Sequence, residues 1–273
     1  MSLPPALAAV LIVALIAGGS PARGQPASSP SQADRTDARD QERIAQTSRC
    51  NLGLISVAGN KFEVTSEGFF ASQRTHRHDQ VDWNLDALVF SRVQAAARGL
   101  AVRNIAYDKD ELRRPRKRSE LFSSFTSDIR DFARTVSAGT SCDRYVVIHR
   151  EAYPIATARY SPIGFGITRV QGLGVQDRAY LHALTAIRIY DGKSFELLGE
   201  ARATTGPAPR IDLKGDWQTY QPVQEIDPAE YPTVPQQGAR SVVFRDIIRS
   251  LLATSLDRTL PGLLRPAPKP GGT

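Results

Sequence analysis

The chain is poor in the residue patterns that mark most enzymes. It has one methionine, two tryptophans and two cysteines among 273 residues, so it has neither a CxxC redox pair nor a cysteine-rich zinc site. It also has no GxSxG, HExxH, phosphate-loop or GxGxxG motif. These absences favour a binding protein over an enzyme, and we expect no cofactor.

The first 24 residues have the composition of an export signal, although no lysine or arginine lies among the first five. An unbroken apolar run from Ala6 to Ala17 is followed by a short segment rich in small residues that ends at Gly24, as in a cleavable signal peptide. The run is shorter than the roughly 20 residues that span a membrane. We therefore expect a periplasmic protein, released by cleavage near Gly24. The alternative is an uncleaved anchor at residues 6–19, which would hold the chain at the inner membrane.

Two segments of biased composition flank the region that is able to fold. Residues 25–49 are rich in Ser, Ala, Gln, Asp and Arg, and residues 261–273 are rich in Pro and Gly. Because neither segment has enough apolar residues to bury a core, both are predicted to be disordered. Residues 50–260 are predicted to form a single α/β domain, with a long irregular loop at 206–239 that is rich in Pro and Gln.

The clearest structural signal is a hairpin from Tyr180 to Thr205. Its second arm alternates apolar and polar residues with a period of two, which is typical of a half-buried strand. Its turn contains Asp191 and Gly192, and an Asp-Gly pair of this kind predicts a short turn with Gly192 at positive φ.

The remaining pattern alternates helices and strands. A first helix is predicted from an N-cap at Asp82 to Gly99, a second from Ser119 to Gly139, and a third from Ser241 to Pro261. Strands are predicted at 100–106, 145–149 and 163–170, and a hairpin or bent strand at 52–65. This order predicts an α/β (α+β) fold, with one mixed sheet of about five to seven strands, helices packed on it, and a late antiparallel hairpin.

Cys50 and Cys142 both lie in the part of the chain that is predicted to be exported. In an oxidising compartment they would form a disulfide that closes a loop of about 90 residues. The alternative is two buried free thiols. Losing the bridge is expected to affect folding and not chemistry.

The sequence His76-Arg77-His78-Asp79 is the most suggestive candidate for a metal site. Alternate histidines in an extended loop would point towards one ion, with Asp79 as the third ligand and His149 or His182 as a fourth. The alternative is a solvated polar loop without a ligand.

Positive charge is concentrated in one short run. The chain has a formal net charge of +7 and a pI near 9.6, which fits anionic surfaces of a bacterial envelope better than nucleic acid in an exported protein. The run consists of Arg113, Arg114, Arg116, Lys117 and Arg118. It predicts peripheral contact with phosphates of lipids or other polyanions; the alternative is a solvated linker.

Two glycine pairs, Gly164 with Gly166 and Gly172 with Gly174, lack the spacing of a phosphate-binding loop. We expect them to permit a bulge or close packing of the backbone.

Four stretches carry a resemblance to known proteins: residues 54–62, Asp82-Trp83, residues 142–147 and residues 187–192. They resemble a group of uncharacterised exported proteobacterial proteins. More distantly, the layout looks like the α/β domain of the TolB amino-terminal region, of the curli secretion lipoprotein and of the penicillin-binding-protein activator. The resemblance implies a non-enzymatic partner or scaffold of the cell envelope. The cysteine that anchors those lipoproteins is absent.

Two hypotheses for the function follow from the sequence. The first is an exported envelope protein that binds a partner through the loops at Phe69–Gln80, Lys109–Arg118 and Gly206–Gly238. The alternative is a metal-binding protein or metal-dependent enzyme that uses His76, His78 and Asp79.

Overall fold

The computed structural model describes residues 50–68, 74–108, 125–155, 158, 160–172, 175–206 and 221–265. Within these residues the mixed α/β class is confirmed. The strands divide between two five-stranded sheets, where the sequence predicts a single sheet. The predicted signal segment, the linker at 25–49, the basic run at 113–118 and residues 266–273 of the predicted tail lie outside the described residues.

Five strands form the first sheet: β1 (Cys50–Val57), β4 (Val102–Asn104), β5 (Cys142–Arg150), β8 (Thr185–Asp191) and β9 (Leu197–Arg202). Their order is β4-β1-β5-β8-β9. β1 is parallel to β4 and β5, whereas β8 is antiparallel to β5 and β9. The central strand β5 is buried from Tyr145 to His149, as its apolar run predicts.

The other five strands form the second sheet: β2 (Lys61–Glu67), β3 (Arg74–Gln80), β6 (Phe165–Gly172), β7 (Val175–Ala183) and β10 (Val223–Ile226). Their order is β10-β7-β6-β2-β3. β2 and β6 are parallel, and the other neighbours are antiparallel. Since β1 and β2 belong to different sheets, residues 52–65 are a bent chain and not a hairpin.

Four helices lie in the described residues: α1 (Leu85–Ala96), α2 (Phe125–Val136), α3 (Pro235–Arg240) and α4 (Val242–Leu264). α1 and α4 contribute Val89 and Leu252 to the largest core cluster, which also contains Leu54 of the first sheet and Phe62 of the second. This shared core holds both sheets against the same helices. α2 packs its Phe132 on the opposite face of the first sheet.

Several predicted boundaries differ in the structure, and three of these differences change how the chain is read. The N-cap of α1 is Asn84, in a left-handed conformation with φ of 50°, and not Asp82. Pro261 lies inside α4, which ends at Leu264; a proline in the last turn removes one hydrogen bond but leaves the preceding turns intact. Residues 221–239, predicted as part of an irregular loop, contain β10, a short 3-10 helix at Pro228–Glu230 and most of α3.

The predicted hairpin is confirmed for its later part only. β8 and β9 pair antiparallel across the Asp191 turn. The first arm is interrupted at Leu184, because residues before it pair in the second sheet and residues after it pair in the first. Leu184 is fully buried. The stretch from Ala179 to Tyr190 is buried on both faces as it passes from one sheet to the other.

Gly192 is required for a reason that differs from the predicted one. The residue of the turn with positive φ is Phe195, at 58°, and not Gly192. Gly192 instead packs against the backbone of β5, where an added Cβ would collide with the carbonyl oxygen of Cys142. Its N–H also donates to the carbonyl oxygen of Asp143 at 2.9 Å. The turn is thereby held against the start of the central strand.

Replacing this glycine, in the variant Gly192→Ala, is expected to lower the free energy of unfolding by about 1–3 kcal/mol, because rigid backbone atoms would have to move. Gly262→Ala is the matched control: a Cβ there meets nothing within 4 Å, and alanine in a helix is favoured over glycine by up to about 1 kcal/mol. Urea denaturation of both variants measures the difference. Equal stability of Gly192→Ala and the wild type would contradict the predicted collision.

The disulfide between Cys50 and Cys142 is present. The two residues stand opposite each other in the parallel pair of β1 and β5, and both are buried. The bridge therefore joins the first residues of two neighbouring strands across 92 positions of sequence. Among the described residues, no helix has the length and apolar character needed to cross a membrane.

Candidate functional site

β3 is the exposed border of the second sheet. Its side chains from Arg74 to His78 are all exposed, and it pairs with β2. None of the described strands lies on its other side. The sequence predicts a loop here, because a strand without a buried face has no apolar alternation to signal its period of two. The predicted binding loop Phe69–Gln80 is therefore a strand from Arg74 onwards.

The register on β2 determines which backbone groups of β3 face outward. The N–H of Val81 donates to the carbonyl oxygen of Asn60 at 2.8 Å, and this pair continues the register of the two strands. Hydrogen-bonded and non-hydrogen-bonded positions alternate along an antiparallel pair. Every second residue of β3 therefore directs its N–H and C=O away from β2. These outward residues are Arg74, His76 and His78, and the inward ones are Thr75, Arg77 and Asp79.

We call the outward backbone groups of Arg74, His76 and His78 the open edge. The next outward amide belongs to Gln80, and its N–H donates to Oδ1 of Asp79 at 2.8 Å. The Asp79 side chain thus satisfies the last outward amide of the strand. The open edge therefore ends at His78 on this side, which limits a docked strand to a short segment.

The same alternation separates the three predicted metal ligands. His76 and His78 share one face of β3, whereas Asp79 lies on the other face, because successive side chains of a strand point in opposite directions. The proposed fourth ligands are also apart: His149 is on β5 of the first sheet and His182 on β7 of the second. Across the described part of the chain, no three His, Cys, Asp or Glu side chains form a group that would hold a metal ion. The predicted ligand set is thus not assembled.

A series of polar side chains crosses the second sheet on the face that carries His76. Thr65 Oγ1 lies 3.1 Å from Nδ1 of His76, and Thr65 is the register partner of Thr168. Thr168 Oγ1 lies 3.3 Å from Nε2 of His182, whose Nδ1 is 3.0 Å from the carbonyl oxygen of Gly164. Since a carbonyl only accepts, Nδ1 carries the proton and Nε2 accepts from Thr168. Burial lowers the pKa of His182 to about 4.

Glu63 is a buried carboxyl group beside the open edge. It is 8% exposed; its Oε1 lies 3.5 Å from Nη1 of Arg150, and its Oε2 lies 3.9 Å from Nε2 of His76. Burial raises the pKa of Glu63, and the positive charge of Arg150 acts in the opposite direction. The alternation with Phe62 and Val64 predicts an exposed Glu63. Nothing in the local sequence signals that Arg150 and His76 cover it.

The chain that follows β5 covers the middle of this polar face. Tyr153 and Ile155 pack with Val170 and Tyr180, which belong to β6 and β7. At the border of this cover, the Arg74 guanidinium carbon stands 3.2 Å from the centroid of the Tyr160 ring. At the β3 border of this face, the side chains of His76 and His78 are exposed.

The glycines of β6 have the packing role that the sequence predicts. A Cβ on Gly166 would collide with the carbonyl oxygen of Glu63. The register between β6 and β7 shifts between Val170 and Gly172, which is the predicted bulge. Gly174 lies outside the described residues.

Comparisons with known proteins give one structural likeness. No protein-family model matches the chain, and no curated protein matches it. The crystal structure of a Xanthomonas campestris protein assigned to the DUF330 family aligns with 79% of this chain and 84% of its own, at 7% identity and a TM-score of 0.32. A likeness at this TM-score carries no conclusion about fold or function. The resemblance to the TolB amino-terminal region is not shown and stays a prediction from sequence.

Proposed function

We propose that this chain is an exported envelope protein that binds a partner protein by accepting an extended segment of it as an additional strand beside β3. The observation that carries the proposal is the open edge, three residues whose backbone donors and acceptors point away from β2. Strand addition of this kind gains affinity from main-chain hydrogen bonds and specificity from the alternate side chains of the added strand.

The side chains of β3 favour reversible pairing with a partner strand and disfavour aggregation. Exposed edge strands are hazardous when they are long, flat and apolar, and charged side chains reduce that hazard. β3 has no apolar side chain in its seven residues, and Arg74 and Arg77 are both exposed. The strand is therefore able to stay open to water until a complementary segment arrives.

The disulfide supports export. Disulfides persist in oxidising compartments such as the bacterial periplasm and are rare in reducing ones. A bridge that joins Cys50 and Cys142 fits a chain that folds after export, in agreement with the apolar run near its amino terminus.

Proline at the centre of the open edge tests the proposal. His76→Pro removes an outward N–H and leaves the hydrogen bonds to β2 in place, since proline is tolerated on edge strands where the nitrogen faces solvent. His76→Ala is the matched control, because it removes the same side chain and keeps the N–H. The probe is a short fluorescent peptide of threonine and valine with two glutamates three residues apart, and fluorescence anisotropy measures its binding.

We expect wild type and His76→Ala to bind the peptide, and His76→Pro to bind it at least about tenfold more weakly, because a hydrogen bond is lost and the ring obstructs pairing. Circular dichroism and thermal unfolding of the three proteins establish that each is folded. Equal binding by His76→Pro and His76→Ala would refute strand addition at β3.

A further inference from the structure

The exposed charged side chains of β3 are arginines. Arg74 and Arg77 are both exposed, whereas Asp79 is half-buried and its carboxylate already accepts a backbone N–H. The acidic residues of the neighbouring strand are withdrawn from solvent, with Glu63 8% exposed and Glu67 7% exposed. Among the described residues of β2 and β3, a strand that arrives at the open edge therefore meets two exposed arginines and no fully exposed carboxylate.

Arg74 is held in an orientation that suits a carboxylate. Its guanidinium carbon lies 3.2 Å from the centroid of the Tyr160 ring, and the N–H of Tyr160 is fixed by a 2.9 Å hydrogen bond to Oε1 of Glu67. An arginine stacked on a ring keeps the donors at the rim of its plane available for a second partner. A carboxylate takes two of those donors at once, so less side-chain freedom is lost on binding.

The spacing of the two arginines sets the spacing of their partners. Arg74 shares a face with His76 and His78, and Arg77, three residues further, lies on the opposite face. A strand paired with β3 rises by the same amount per residue, so the positions opposite Arg74 and Arg77 are also three residues apart. Resting on strand addition at the open edge, we infer that the partner segment is acidic and carries two carboxylates three residues apart, one on each face.

A second copy of this chain fits the open edge less well. Antiparallel pairing of two β3 strands about His76 places Arg74 opposite His78, and pairing about Arg77 places the two Arg77 side chains opposite each other. Pairing about His78 sets Arg77 opposite Asp79, but it requires the Gln80 N–H that Asp79 already holds. An acidic segment satisfies both arginines and leaves that hydrogen bond intact.

Three peptides of identical length test the inference, with glutamate, glutamine or lysine at the two positions and threonine and valine elsewhere. We expect the glutamate peptide to bind wild type about five- to tenfold more tightly than the glutamine peptide at low salt, and the lysine peptide to bind most weakly. The preference should shrink in about 0.5 M salt, which screens exposed charges. The double variant R74Q/R77Q should abolish the preference.

Arg103→Gln is the matched control, since Arg103 is an exposed arginine on the border strand β4 of the other sheet. An equal loss of preference in Arg103→Gln would mean that net charge and not β3 selects the peptide, and would overturn the inference. Equal binding of all three peptides, with each lost in His76→Pro, would overturn the acidic partner and leave strand addition standing. Dimerisation of wild type that is lost in His76→Pro, measured by analytical ultracentrifugation, would replace the acidic partner with a second copy.

Discussion

Replacing both cysteines, in the variant C50A/C142A, is expected to lower the free energy of unfolding by about 4 kcal/mol. The bridge spans 92 positions, and a cross-link restricts the unfolded chain more as the loop it closes grows longer. A domain of this size is stable by only about 5–15 kcal/mol. The variant should therefore unfold at a markedly lower concentration of urea.

Reduced wild type is the natural control for this variant. Both cysteines are buried, so replacing them with alanine also removes two buried sulfur atoms. Reduction breaks the bridge but keeps these atoms, and it therefore isolates the effect of the cross-link on stability. Wild type unfolded in the presence of a reductant should lose most of the same stability. Peptide binding at β3 should be unchanged wherever the variant is folded, because the bridge lies in the other sheet. Equal stability of oxidised and reduced wild type would contradict the predicted contribution.

Acidification is expected to destabilise the protein through His182 by roughly 3 kcal/mol between about pH 6.5 and pH 4. The folded state lowers the pKa of His182 from 6.5 to about 4 because the ring is buried. The unfolded chain therefore binds a proton in this range that the folded chain does not. The stabilising effect of the neutral ring is complete above pH 6.5 and is lost as the pH falls to 4.

Other titrating groups also change how the free energy of unfolding depends on pH. The contribution of His182 is therefore measured by comparing variants. Burial also lowers the pKa of His149, which adds to the acid sensitivity. The raised pKa of Glu63 acts in the opposite sense, since the folded state takes up that proton more readily. The variant His182→Asn keeps a donor for Gly164 and removes the titrating ring, so it should lose the part of the slope that belongs to His182. His78→Asn, at an exposed site, is the control.

Urea unfolding at a series of pH values measures how the free energy of unfolding of each variant depends on pH. A titration of the His182 ring by nuclear magnetic resonance gives the same answer on wild type, whatever the stability of the variants. A ring that takes up its proton near pH 6.5 in the folded protein would contradict the predicted acid sensitivity.

Local periodicity is enough to predict the parts of this fold that have one buried face. The buried stripe of α1 at Leu85, Leu88, Val89 and Val93 and the alternating strand β9, which pairs with β8, both follow from residue spacing. The disulfide follows from cysteine count and predicted export. In each case the residues that carry the signal are close in sequence or are the only ones of their type.

The division into two sheets could not be predicted in this way. The change of sheet at Leu184 has no signal in the sequence, because the residues on either side of it are buried on both faces and show no change of periodicity. The candidate site could not be predicted either, because β3 has no buried face. Its sequence is polar throughout and is the same as that of a loop. The three predicted metal ligands are not brought together, because a strand, unlike the expected loop, directs Asp79 to the face opposite the two histidines.

Amide hydrogen exchange along β3 tests strand addition at the open edge most directly. In free wild type, the inward amides of Thr75, Arg77 and Asp79 should be protected, while the outward amides of Arg74, His76 and His78 exchange rapidly. Saturation with the glutamate peptide should protect these three outward amides as well. Outward amides that are protected in the free protein, or that stay unprotected when the peptide is bound, would contradict the proposed function.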